Sequence, residues 1–141
     1  MMQTPDSPAT GNLLFHHVGV ISADVELESR QLAALGYQAE GELFIDPVQG
    51  VRGLFLTGQS PRLELLAPLS GDGLLAPWIK SKNKLYHLAY ETPDLPKAIA
   101  NLRQGRAKVV VEPVPAVAFG GRHIAFLILP NRLLVELIAQ H

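Results

Sequence analysis

Residues 13–22, "LLFHHVGVIS", read as a buried strand into which two histidines have been set. Successive side chains of a strand point to opposite faces, so Val18 and Val20 share one face while His17 lies on the other with Gly19 and Ile21. Imidazole fills an apolar core poorly, which makes such a histidine either a hydrogen-bonded core side chain or a metal ligand. One occurrence does not separate these readings. A second bears on the choice: "HVGV" at 17–20 is echoed 70 residues later by "HLAY" at 87–90. "LELLA" at 63–67 is answered by "VELIA" at 135–139, which places Glu64 and Glu136 72 residues apart. Asp24 with Asp94, Gly36 with Gly105 and Arg52 with Arg122 recur between those markers, in the same order and at spacings of 69 or 70. The chain is therefore read as an internal repeat.

The local patterns repeat as well. A strand at 15–21 leads into a helix through "SADVELESRQLAALG", with Ser22 or Asp24 as its cap and Gly36 as its stop. Three extended pieces follow, near 37–45, 51–57 and 61–68, separated by the turn residues of "DPVQG" and "GQSP". The second half offers a strand near 86–91 and a helix through "PDLPKAIANLRQG", capped by Asp94, with Pro96 in its first turn and Gly105 as its stop. Strands are expected near 107–112, 122–128 and 132–138, and a short helix around Leu75–Ile79 in the connection 69–84. This is an α+β chain of two βαβββ modules, 13–68 and 85–140, within one domain spanning 13–140.

A length of 141 residues with 48% hydrophobic content suffices for one packed domain. A net charge of −1 with 18% charged residues gives no bulk attraction to nucleic acid or to an anionic membrane. The absence of cysteine excludes disulfides and thiolate chemistry, so any metal must be held by nitrogen and oxygen. The opening "MMQTPDSPATGN", residues 1–12, has neither a basic start nor an apolar centre and is expected to be a disordered tail rather than a signal peptide. No apolar run reaches transmembrane length, and the expected compartment is the cytoplasm.

The repeated polar residues fall on one face. Gly19 and Ala89, two positions beyond His17 and His87, are small and leave space beside each imidazole. Leu63 and Leu65 around Glu64, and Val135 and Leu137 around Glu136, would bury the helix-facing side and turn both carboxylates the other way. An unpaired carboxylate there costs several kcal/mol in lost hydration. Two glutamates and two neutral histidines carry −2, which a divalent cation cancels; Mn, Fe, Co, Ni or Zn all suit such a donor set and leave positions open for a substrate. His17, Glu64, His87 and Glu136 are accordingly the candidate metal ligands. His16 lies on the opposite face and is read as structural, while His123 and His141 have no echo and are read as solvent-facing.

With these residues in place, the sequence resembles the vicinal oxygen chelate superfamily, which includes glyoxalase I, extradiol dioxygenases and bleomycin resistance proteins. The likeness spans about residues 15–140. In wording it is nearest to the methylmalonyl-CoA epimerase-like branch, through "HHVGV", "QGVRGLFL", "RLELLAPL", "YHLAYETPDLPKAI", "GGRHIAFL" and "LLVELI". The resemblance implies that the modules pair into one curved, cup-shaped mixed sheet with helices outside. It places a single metal on His17, Glu64, His87 and Glu136. It further implies an isomerase or epimerase that moves a proton next to a carbonyl through a metal-stabilised enediolate, with Glu64 and Glu136 as the bases. The last hairpin, "LILPNRLLVEL", departs from the family pattern by lacking a glycine-rich insertion before the final strand, which points to a different pocket rim.

An acyl-CoA or related thioester is the expected substrate. Lys80, Lys82 and Lys84 in "WIKSKNK" are placed to meet the phosphates of a CoA tail, though a solvated loop explains them too, and Arg122 is a further candidate contact. Two other readings compete with this one: a glyoxalase I-like lactoylglutathione lyase with the same ligands, and a non-catalytic module that sequesters an antibiotic or another small molecule. Iron-dependent extradiol cleavage fits less well, because Glu64 would occupy a position that its substrates need. A homodimer is the default expectation of the resemblance.

Overall fold

The computed structural model describes residues 12–71, 73 and 75–141, so all but Asn12 of the expected tail lies outside the described residues. In chain order the elements are β1 (Leu14–Ile21), α1 (Val25–Leu32), β2 (Gln38–Asp46), β3 (Val51–Thr57), β4 (Leu63–Pro68), α2 (Ala76–Ser81), β5 (Leu85–Thr92), α3 (Leu95–Gln104), β6 (Lys108–Pro115), β7 (His123–Ile128) and β8 (Leu134–Ala139). A 3₁₀ turn at Ala33–Leu35 extends α1 and another, Val117–Phe119, follows β6. Among the described residues, no helix is long and apolar enough to cross a membrane.

Two compact units are built from this chain. One comprises residues 17–86 with 116–118; the other comprises the described residues up to His16 with 87–115 and 119–141. The first has its strands in the order β2-β3-β4-β1, with β1 parallel to β4 and the remaining pairs antiparallel. The second runs β5-β8-β7-β6, again with one parallel pair, β5 with β8, and two antiparallel pairs. Each is a βαβββ module of mixed sheet and packed helix, the α+β class that the repeat implies.

Both helices start by the same device. Asp24 and Asp94 are extended N-caps, at φ −143° and −144°, and each accepts the backbone N–H three residues on, from Leu27 and Lys97. The hydroxyls of Ser22 and Thr92 accept the N–H of those aspartates in turn, so of the two candidates at the first helix Asp24 is the cap and Ser22 its support. Gly36, at φ +98°, takes the left-handed conformation that ends the first helical segment. Gly105 does not repeat this: its φ is −85°, and Arg106 turns the chain instead at φ +71°. β6 runs past the expected end to Pro115 because it stands last in the strand order and is paired only with β7, where prolines cost no ladder hydrogen bonds.

The helix-facing sides form the cores. In the first unit Val20 and Val25 pack with Leu56, Leu63 and Leu65; in the second Leu95 and Ala98 pack with Leu127, Val135 and Leu137. The first unit has an additional cluster on the opposite side of its sheet, where Ile21, Val51 and Leu66 meet Leu75, Trp78 and Ile79 at the start of and within α2. That packing accounts for a helix in a connection rich in lysine.

Candidate metal centre

Strand register places the same group of side chains in each unit. In the first, β1 and β4 set Gly19 opposite Glu64, while β3 sets Phe55 opposite Glu64 from the other side. In the second, Ala89 and Phe126 flank Glu136 in the same way. His17, two residues before Gly19, brings Nε2 to 3.1 Å from Glu64 Oε1, and His87 Nε2 lies 3.1 Å from Glu136 Oε1. All four residues are buried, His17 fully and the others to within 4% exposure. The side of the sheet that the leucines and valines left for these carboxylates is the one they occupy.

Each imidazole also rests edge-to-face against an aromatic ring. Phe55 meets His17 with ring centres 5.3 Å apart and planes at 78°; Phe126 meets His87 at 5.2 Å and 79°. These contacts hold the imidazole planes and keep water from one side of each pair. The two phenylalanines stand at the same place in "GLFL" and "IAFL", a signal present in the repeat and passed over because phenylalanine in a strand reads as core.

Each pair has donor chemistry suited to a borderline divalent ion: one imidazole nitrogen and one carboxylate oxygen. Two ligands at right angles around an ion about 2.1 Å from each would stand about 3.0 Å apart, close to the 3.1 Å separation in both units. In each pair a carboxylate oxygen thus faces an imidazole nitrogen rather than an apolar surface, which offsets part of its burial cost.

The remaining candidate residues are placed differently. Lys80, Lys82 and Lys84 are exposed at the end of α2 and just after it; Lys84 Nζ contacts Glu28 of α1, and Lys82 closes α2 in a left-handed conformation at φ +59°. Arg122 is partly buried: its Nη1 donates to Glu91 Oε2 at 3.1 Å and to the Ala139 carbonyl at 3.0 Å, and its Nε donates to the Phe119 carbonyl. Arg52 and Arg122 are not structural counterparts. Because Phe55 and Phe126 oppose the two glutamates, the position equivalent to Arg52 is His123, and Arg122 corresponds to Val51. One residue of offset reverses the face, so Arg52 reaches Glu26 on α1 while Arg122 points to the side of Glu91, His87 and Phe126. His16 contacts Phe119 edge-to-face at 5.4 Å, as a structural side chain would, and His123 and His141 are exposed.

Sequence reading also treated "DPVQG" only as a turn. Asp46 is fully buried there and accepts four N–H groups: from the backbones of Val48 and Gln49, from the Gln49 side chain, and from Val117 of the 116–118 segment. An aspartate opening a turn predicts the first two bonds; nothing local predicts a partner 71 residues away.

Residues 16–126 match the model of the glyoxalase/bleomycin resistance protein/dioxygenase superfamily, and the chain belongs to that family. Within it, the chain is 29% identical over 116 residues to an ethylmalonyl-CoA/methylmalonyl-CoA epimerase of Cereibacter sphaeroides, covering 79% of this chain and 85% of that one. The crystal structure of methylmalonyl-CoA epimerase from Mycobacterium tuberculosis superposes with a TM-score of 0.77 at 24% identity, covering 100% of this chain and 93% of the other, so the fold is shared over both modules. A Streptomyces coelicolor methylmalonyl-CoA epimerase variant, solved with 2-nitronate-propionyl-CoA, is 26% identical with a TM-score of 0.74, covering 90% and 97% of the two chains.

Proposed function

We propose that this protein is a metal-dependent epimerase of the methylmalonyl-CoA epimerase kind, with one divalent ion held jointly by His17, Glu64, His87 and Glu136. The observation that carries the proposal is the duplication of one buried His–Glu pair, with its phenylalanine, at equivalent register positions of both modules. A pair alone offers two ligands, too few for a stable site; two pairs offer four, with a formal charge that a divalent ion neutralises. The likeness to epimerases of 2-carboxyacyl-CoA thioesters supports the choice of reaction. When bound, the ion would supply Lewis-acid stabilisation of the negative charge that develops on the substrate's oxygens.

The chain's own residues have definite tasks in this reading. One glutamate oxygen takes the proton from the carbon between the thioester and the carboxylate; the other glutamate, having first taken a proton from solvent, returns it to the opposite face and inverts the centre. His17 and His87 orient their glutamates. Phe55 and Phe126 exclude water from one side of each pair, which protects the carbanion from indiscriminate protonation. Gly19 and Ala89 leave room for the reacting carbon.

The test is bound-metal analysis combined with NMR in D2O, following deuterium incorporation at the acidic carbon of methylmalonyl-CoA. Incorporation that requires metal supports the proposal; none, with metal loaded, overturns it. A hemithioacetal of methylglyoxal and glutathione belongs in parallel, because an acidic ligand in each half also suits a glyoxalase I-like lyase. Turnover of that adduct alone assigns the site to the second reading. Inertness to both, with tight binding of an aromatic drug, assigns the protein to sequestration.

A further inference from the structure

Beside α2 lies a cavity of about 200 Å³, lined by Ile21, Ser22 and Ala23 at the end of β1 and by Trp78, Ile79, Lys82, Asn83 and Lys84. Trp78 is half-buried and held edge-to-face by Tyr86, with ring centres 5.1 Å apart and planes at 72°, so its indole is a fixed wall rather than a loose side chain. Ile21 and Ile79 supply further apolar surface. The mouth is cationic: two of the chain's five lysines, Lys82 and Lys84, line it. Lys84 is engaged by Glu28, and Asp24 caps the neighbouring helix, which leaves Lys82 as the surplus positive charge. Ile21 lies four residues beyond His17 on the same face of the same strand, about 13 Å away at 3.3 Å per residue.

We infer that this cavity receives the nucleotide end of the substrate, the adenine against Trp78 and a phosphate at Lys82. A flat apolar wall at a fixed angle with a surplus ammonium group at its rim matches an aromatic base carrying phosphate, and matches neither a neutral acyl chain nor a cation. The inference rests on the acyl-CoA thioester reading of the His17 side, since it is the thioester that would connect the two places.

Trp78 is the chain's single tryptophan, so tryptophan emission, excited selectively over the three tyrosines, reports on this cavity alone. The probes are 3′,5′-ADP, CoA and pantetheine, each titrated into the full chain and checked by calorimetry. The expected result is saturable change of Trp78 emission by 3′,5′-ADP and CoA and none by pantetheine. Lys82→Asn removes the charge while suiting the left-handed backbone at that position, and should weaken 3′,5′-ADP binding about five- to tenfold. Lys108→Glu, an exposed charge change in β6, should leave it unaltered. No response to 3′,5′-ADP at millimolar concentration overturns the inference, as does a response to pantetheine or equal weakening by the Lys82 and Lys108 changes. Because 3′,5′-ADP carries no acidic carbon, its binding is independent of proton exchange: failure of exchange with nucleotide binding intact removes the epimerase reading and leaves the cavity, and the converse result does the reverse.

Discussion

At the scale of the residue, the two His–Glu pairs differ from ordinary buried ion pairs in a way that mutation exposes. Glu64→Gln and Glu136→Gln keep shape and an oxygen donor but lose the ability to take a proton. Each is expected to lower deuterium exchange on methylmalonyl-CoA by about 100-fold or more, while bound metal falls far less. His17→Ala and His87→Ala should do the opposite first, emptying the metal from the purified protein. They should also lower stability by about 3–5 kcal/mol in denaturant titrations, because each leaves a buried glutamate without its imidazole. A glutamine variant with unchanged exchange would remove that residue from the proton path. Gly53 offers a purely steric test: a methyl group there would stand 2.3 Å from the Phe44 ring and 2.9 Å from the Leu65 carbonyl. Gly53→Ala should therefore cost about 1–3 kcal/mol by overpacking, measured from the urea midpoint.

Elements carry the effects that depend on pH. The carboxyl of Asp24 is held below its ordinary range, first by the N–H of Leu27 and further by the charge of Arg30. A folded-state value below the unfolded one means that this cap stabilises the protein above about pH 4 and that its contribution disappears as pH falls through the lowered value. Asp24→Ala should melt below the parent at pH 7 by circular dichroism, and the gap should narrow as pH falls through the lowered value. A gap unchanged by acidification would show that the cap acts through something other than its charge. Strand and helix placement was legible from the sequence because alternation, caps and glycines recur in both halves: β1, α1 and the strand runs stand where the pattern puts them. What escaped was register. The glycine-arginine wording of "GVRGLFL" and "GGRHIAFL" aligned Arg52 with Arg122, whereas the ladder opposite each glutamate aligns Arg52 with His123. A period of two makes such a slip invisible to hydropathy and decisive for which way a charge points.

For the whole molecule, a metal that binds only the native state must raise its stability. Loading to 100 times the dissociation constant would add about 2.7 kcal/mol, enough to move the thermal midpoint by several degrees, and a chelator should reverse the gain. Calorimetry with and without EDTA reads this directly; an unchanged midpoint in a protein shown to contain stoichiometric metal would mean that the ion binds the folded and unfolded chain equally well. The four candidate ligands were readable because duplication gave each a counterpart, and burial of two histidines and two glutamates has few physical excuses. Asp46 was unreadable for the opposite reason. It has no counterpart in the second half, and its role depends on a backbone N–H 71 residues away.

The units also trade small pieces of chain. Residues 116–118, which come late in the sequence, complete the unit built from 17–86, where Val117 gives Asp46 its fourth donor; residues 12–16 complete the unit built from the later half. Gene fission at the 69–84 connection would thus yield two defective fragments: the early one with a buried carboxylate short of a bond, the late one with Leu13 missing from beside its core. Neither should accumulate when expressed alone, whereas co-expression should rescue both as a complementing pair. A duplicated ancestor that had exchanged its ends in this way could no longer be parted by a single cut.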